Sequence, residues 1–199
     1  MKYPLSIFLF LPFIALAESD SLFLKVHFLY GSKPLRKHKK TESKYFGGIH
    51  GGHVTIEVEG KDYGLLPAGR FHIFSHKKKR NSVYGWQQTN GASGVVPGYK
   101  FAVFFIPVTP EQYDKAKEIL ENYAAQTPYD YAFFGMRCAS AANDVLGQLN
   151  ILKKRSRFGY VATSFYPKKL RKKLFKLAAK HNYKVLKQAG RVTRKWEKG

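Results

Sequence analysis

Cysteine is almost absent from this chain of 199 residues: Cys138 stands alone, so no internal disulfide can form and its thiol is not half of a structural bridge. Acid is scarce too. Only 13 Asp and Glu face 35 Lys and Arg, giving a formal net charge of +22. Beyond the first residues no run is both apolar and long enough to cross a bilayer. No internal repeat and no low-complexity stretch is present, so a single folded unit is the simplest account.

The start of the chain reads as an address. Lys2 gives a basic beginning, Leu5 to Ile14 form a short apolar run, and Ala15-Leu16-Ala17 offers small residues where a signal peptidase reads. Residues 1–17 are therefore expected to be a signal peptide, leaving 18–199 as one exported domain, periplasmic or secreted; a retained anchor is the alternative. No cysteine sits at the cleavage point, which argues against a lipid-modified N-terminus. The basic charge is concentrated late. From 151 to 199 there are 17 Lys and Arg against one acid, Glu197, so this extension carries +16 and the rest +6. Such a block points to an anionic cell-envelope polymer or membrane surface. Cytosolic nucleic acid is disfavoured by the signal peptide, and a merely solvated basic face is the plain alternative.

Periodicity predicts an α+β fold, a small antiparallel sheet packed with helices. Leu22 to Tyr30 reads as a strand, followed by a polar surface loop over Lys33 to Lys44. The run Gly47-Gly48-Ile49-His50-Gly51-Gly52 leads into His53, where His53, Thr55, Glu57 and Glu59 alternate with Val54, Ile56 and Val58, a half-buried strand. Gly60-Lys61 turns, and Tyr63 to Leu66 returns. Short strands are expected at Arg70 to Phe74 and Phe101 to Val108, with a Gly- and Asn-rich loop from Asn81 to Gly98. Thr109-Pro110-Glu111-Gln112 has the form of a capping box opening a helix. A second helix is expected from Met136–Cys138 to Leu149. Pro167 opens a third, with Leu170, Leu174, Leu177 and Ala178 on one side, and Tyr183 to Leu186 is a candidate final edge strand.

Cys138 and His53 are the candidate catalytic pair. A thiol reacts as thiolate, favoured by a helix N-terminus and a nearby imidazole. Cys138 precedes the helix-forming Ala139-Ser140-Ala141-Ala142, so its sulfur is expected among unpaired N–H groups able also to hold an oxyanion. His53 opens a strand after glycines that leave room for substrate. An inert buried thiol is the bland alternative. His50, His53 and Cys138 offer a weaker zinc arrangement, since glycines hold ligands poorly; no metal and no cofactor is expected. Tyr131 is a candidate oxyanion donor or a packing residue, and Arg137 either favours the thiolate or points to solvent.

The stretches Tyr45-Phe46-Gly47-Gly48, Gly51-Gly52-His53-Val54-Thr55-Ile56-Glu57, Pro128-Tyr129-Asp130-Tyr131 and Gly135-Met136-Arg137-Cys138-Ala139 resemble the circularly permuted NlpC-type papain-like families, in which the histidine strand precedes the cysteine helix. The likeness covers roughly Leu22 to Leu149 as a pattern of elements. It implies a permuted papain-like fold, Cys138 as nucleophile with His53 as base, and substrates from cell-wall peptides to lipid acyl groups; a peptidoglycan-type amide is the first expectation, a lipid acyl bond the second. The competing class is a non-catalytic cationic envelope-binding protein. One departure stands out. Where such families place a polar residue that orients the histidine, this chain has Leu65-Leu66-Pro67-Ala68. Glu57 lies roughly 13 Å along the strand, and His72, Asp62 or a backbone carbonyl are the remaining candidates.

Overall fold

The computed structural model describes residues 22–42, 51–70, 72–78, 80–88 and 98–198. The expected signal peptide, Tyr45 to Gly48 and His50 lie outside them. Among the described residues no helix is long and apolar enough to cross a membrane.

Six antiparallel strands form the central sheet, in the order β6-β4-β3-β1-β7-β9. They are β1 (Phe23–Tyr30), β3 (Gly52–Val58), β4 (Lys61–Pro67), β6 (Ser82–Gln88), β7 (Phe101–Pro107) and β9 (Val185–Gln188). Two small ribbons flank it: β2 (Ser32–Pro34) pairs with β10 (Arg194–Trp196), and β5 (His72–Phe74) runs parallel to β8 (Ala132–Phe134). Helices α1 (Pro110–Ala125), α2 (Cys138–Gln148) and α4 (Pro167–His181) pack on the sheet, and α3 (Arg157–Thr163) packs on α2.

The alternation of β1 and β3 decides which sheet face the helices cover. Register sets Val26 beside Ile56 and Phe28 beside Val54, and these side chains form the core with Phe104, Ile106, Leu120, Leu146 and Leu170. Apolar burial of this kind is the main stabilising term. Helix α1 starts as the capping box predicts: Thr109 Oγ1 accepts from the Gln112 N–H at 3.2 Å, and Gln112 Oε1 accepts from the Thr109 N–H at 3.1 Å.

Four expectations change. The polar face of β3 closes at Glu57, which is 5% exposed, receives Lys25 Nζ at 2.6 Å and pairs with His27 Nε2 at 2.9 Å. Glu59, expected to continue that face, sits in the following turn with φ 49°. The polar stretch after Lys33 contains β2 and a 3-10 turn at Arg36–His38, and the segment after Asn81 contains strand β6, where Tyr84 fills the core while Val83 and Trp86 face outward. The basic stretch after 151 keeps to its expected elements: α4 inserts Leu170, Leu174 and Ala178 into the core, β9 joins the sheet edge beside β7, and Arg171 is buried against Glu197 at 2.8 Å. Lys169, Lys172, Lys176 and Lys180 on the same helix remain exposed.

Candidate functional site

Cys138 is the first residue of α2, as its sequence context requires. Arg137 is the N-cap in extended conformation (φ −137°, ψ 172°). Arginine carries no acceptor for the first-turn N–H groups; instead Ser140 reaches back, its Oγ accepting from the Arg137 N–H at 2.7 Å. The sulfur therefore sits at the positive end of the helix, and it receives the backbone N–H of Ala139.

Three further groups converge on it, Val54 from the distant strand β3, and Tyr131 and Arg137 from the turn and cap just before α2. The Val54 N–H donates to the sulfur, the Tyr131 hydroxyl donates to it, and the Arg137 guanidinium adds positive charge nearby. Local strand geometry explains the first. Pairing between β3 and β4 runs from Val58–Lys61 to Ile56–Tyr63, while β4 continues along β6 through Pro67–Ser82. β3 and β4 thus part ahead of Ile56, and α2 packs against both. Tyr131 is positioned by the turn before α2, where it bridges to Met136, and it also bonds Arg137. Burial keeps its phenol firmly protonated, so it acts as a donor.

His53 precedes Val54 on β3, and its ring stands against Gly64 of the neighbouring strand β4. Gly52 before it has φ +92°, and a Cβ there would collide with the Leu29 carbonyl oxygen; only glycine lets the chain enter β3 here. On the neighbouring strand Gly64 provides a bare surface for the ring, with His53 Nε2 3.0 Å from where a Cβ would stand. Part of the residue's surface stays open to solvent, yet its surroundings are packed, and burial lowers the imidazole from 6.5 to about 4.

The resting protonation state differs from the expected thiolate. Cys138 is 4% exposed. Burial raises its thiol above the ordinary 9.0, and the Val54 N–H, Arg137, Tyr131 and the Ala139 N–H only partly offset that rise. At neutral pH the pair rests as neutral thiol and neutral imidazole. Desolvation disfavours both charged forms, and here it outweighs the donors.

The remaining candidates are engaged elsewhere. Glu57 is held by Lys25 and His27. Asp62 is buried beside His27 and bonds Thr55 and Gln87; burial raises its carboxyl above the usual range. His72 Nδ1 bonds Asp130 Oδ2 at 2.8 Å, and Asp130 also accepts the N–H groups of His76 and Asn81 at 2.8 and 2.6 Å. Although burial opposes it, these contacts lower the Asp130 carboxyl, making it the knot that ties the segment between β5 and β6 to β8. Among the described residues no group of three or more His, Cys, Asp or Glu is arranged to hold a metal ion. Gly64 and the Val54 backbone were not legible as site components. A glycine in a strand is a weak signal by itself, and a backbone donor has none.

No known protein family, curated protein or solved structure matches this chain.

Proposed function

We propose that this protein is an exported thiol hydrolase or acyltransferase of the permuted NlpC papain-like type, acting on an amide or ester bond of the cell envelope, with a peptidoglycan-type amide first and a lipid acyl bond second. The observation that carries the proposal is the convergence on one sulfur of two backbone N–H groups, a phenol hydroxyl and a guanidinium. A merely space-filling cysteine needs none of them, whereas a sulfur that must become anionic needs all. In this reading the thiol attacks the carbonyl while His53 takes its proton, and the oxyanion forms at the N-terminus of α2. His53 then protonates the leaving group, and water or another acceptor releases the acyl group from Cys138. A base lowered to about 4 acts only with the proton moving as the carbon–sulfur bond forms, so the resting site is unreactive toward solutes that do not fill it. The basic face of α4 would hold the enzyme to an anionic envelope surface.

A second reading is favoured by the near-complete burial of Cys138: a non-catalytic cationic envelope-binding domain. Both are tested by mixing the protein with a p-nitrophenyl ester. The enzyme reading requires a burst of p-nitrophenolate and a hydroxylamine-labile acyl group on Cys138 by intact mass. Cys138→Ala must abolish both, and His53→Ala must slow acylation about a hundredfold, the usual contribution of a positioned base. Acylation indifferent to His53→Ala leaves the binding reading.

A further inference from the structure

The β5–β8 ribbon stands outside the main sheet and turns its apolar residues outward. Phe74 is 66% exposed, Ile73 and Phe134 are similarly open, and Phe158 on α3 is 83% exposed. These rings are not scattered. Phe74 stacks on Phe134 with centroids 5.4 Å apart, Phe134 meets Phe133 at 4.8 Å, and Phe133 meets Phe165 at 5.6 Å. A continuous exposed aromatic surface of this kind marks a contact with another phase or molecule.

Beside it opens a cavity of about 650 Å³. Its apolar wall is Phe134, Phe158, Val161 and Phe165, and its charged lining is Lys77, Arg80, Arg157 and Lys169. The one carboxylate among the lining residues, Asp130, already receives His72, His76 and Asn81, so its charge is answered within the chain. Aromatic rings partition to the headgroup level of a bilayer, and cations beside them meet lipid phosphates. A polyanion in solution would use the cations and leave the rings in water. A second copy of this chain would bring two molecules of +22 together through cationic surfaces, which repulsion opposes.

We infer that the β5–β8 ribbon and Phe158 form a docking surface for an anionic phospholipid bilayer, with the rings entering the headgroup layer and Lys77, Arg80, Arg157 and Lys169 facing lipid phosphates. The surface adjoins the Cys138 site through Arg137, whose guanidinium packs over Phe165 at 4.6 Å. The docking claim does not rest on thiol chemistry.

The test is co-sedimentation of the full chain with vesicles of phosphatidylcholine, with and without phosphatidylglycerol. The N-terminal apolar run is common to every protein compared, so differences between them report the surface. Phe74→Ser with Phe134→Ser is expected to weaken partition onto the anionic vesicles about tenfold or more, from the apolar area left in water. Lys77→Gln with Arg157→Gln should weaken it severalfold at low salt and little at high salt. Cys138→Ala should bind as wild type. Phe158→Ser repeats the aromatic test at a ring too exposed to support the core, should the ribbon variant fail to fold by circular dichroism. Three results would each overturn the inference. They are unchanged binding by the aromatic variants, an equal wild-type-to-variant difference on phosphatidylcholine alone, and loss of self-association in the variants by analytical ultracentrifugation, which would assign the surface to a second copy.

Discussion

The imidazole of His53 lies against the bare backbone of Gly64. Its Nε2 stands 3.0 Å from where a Cβ would be, and Thr55 Cγ2 stands 2.8 Å from the same point. Gly64→Ala must therefore push the ring and the threonine methyl aside within a buried strand. The expected cost is about 1–3 kcal/mol, as for other overpacked sites, measured by urea denaturation. Ester acylation should fall about a hundredfold, since a base displaced by about an ångström loses its alignment. Loss of stability with an unchanged acylation rate would remove this contact from the site.

Cys138 is the second test. With burial dominating, iodoacetamide should modify it slowly at neutral pH, the rate climbing only as pH passes the ordinary 9.0. Tyr131→Phe and Arg137→Gln each remove a group that favours the thiolate, so each should move the profile further up. Alkylation rates followed across pH decide the matter. A half-point well below that of an ordinary cysteine would mean that the donors outweigh desolvation.

The elements of this fold were legible where one physical signal dominated. The capping box at Thr109, the strand that follows Gly52 and the small-residue helix after Cys138 all appear where the sequence puts them. Three features were hidden. Strand β6 lies in a segment whose glycines and asparagine imitate a loop, because its order comes from pairing with β4 along seven residues. The charge state of the pair was misread because sequence shows the helix N-terminus but not the core that closes around it. The burial of Arg171 was hidden within the basic block, since nothing near it in sequence shows that Glu197 returns to meet it. Local propensity carries each success, and long-range packing each miss.

His53 also makes stability depend on pH. Its imidazole is lowered from 6.5 to about 4 in the folded protein, so the unfolded chain binds the extra proton first as pH falls. The contribution is fully present above about 6.5, is lost progressively as pH drops toward about 4, and levels off below that, where the native state is protonated too. Its size is at most roughly 3 kcal/mol. Urea midpoints between these limits should rise with pH in wild type, and His53→Gln should flatten that part of the curve. An unaltered slope in the variant would place the titration on another group.

Arg171 and Glu197 tie the end of the chain to the core. The guanidinium is 1% and the carboxylate 2% exposed, with Nη2 to Oε2 at 2.8 Å, and the arginine lies 3.6 Å over the ring of Tyr30. The Glu197 N–H continues the β2–β10 ribbon by donating to the Gly31 carbonyl at 2.8 Å. Charges this deep are costly to strand. Glu197→Gln leaves a buried guanidinium uncompensated and should lose about 3–5 kcal/mol, whereas Arg171→Met with Glu197→Met removes both charges and should recover most of that loss. Urea denaturation of Arg171→Met, Glu197→Met and the double variant gives the coupling directly. A double variant as weak as the sum of its single changes would mean that the pair contributes through shape alone.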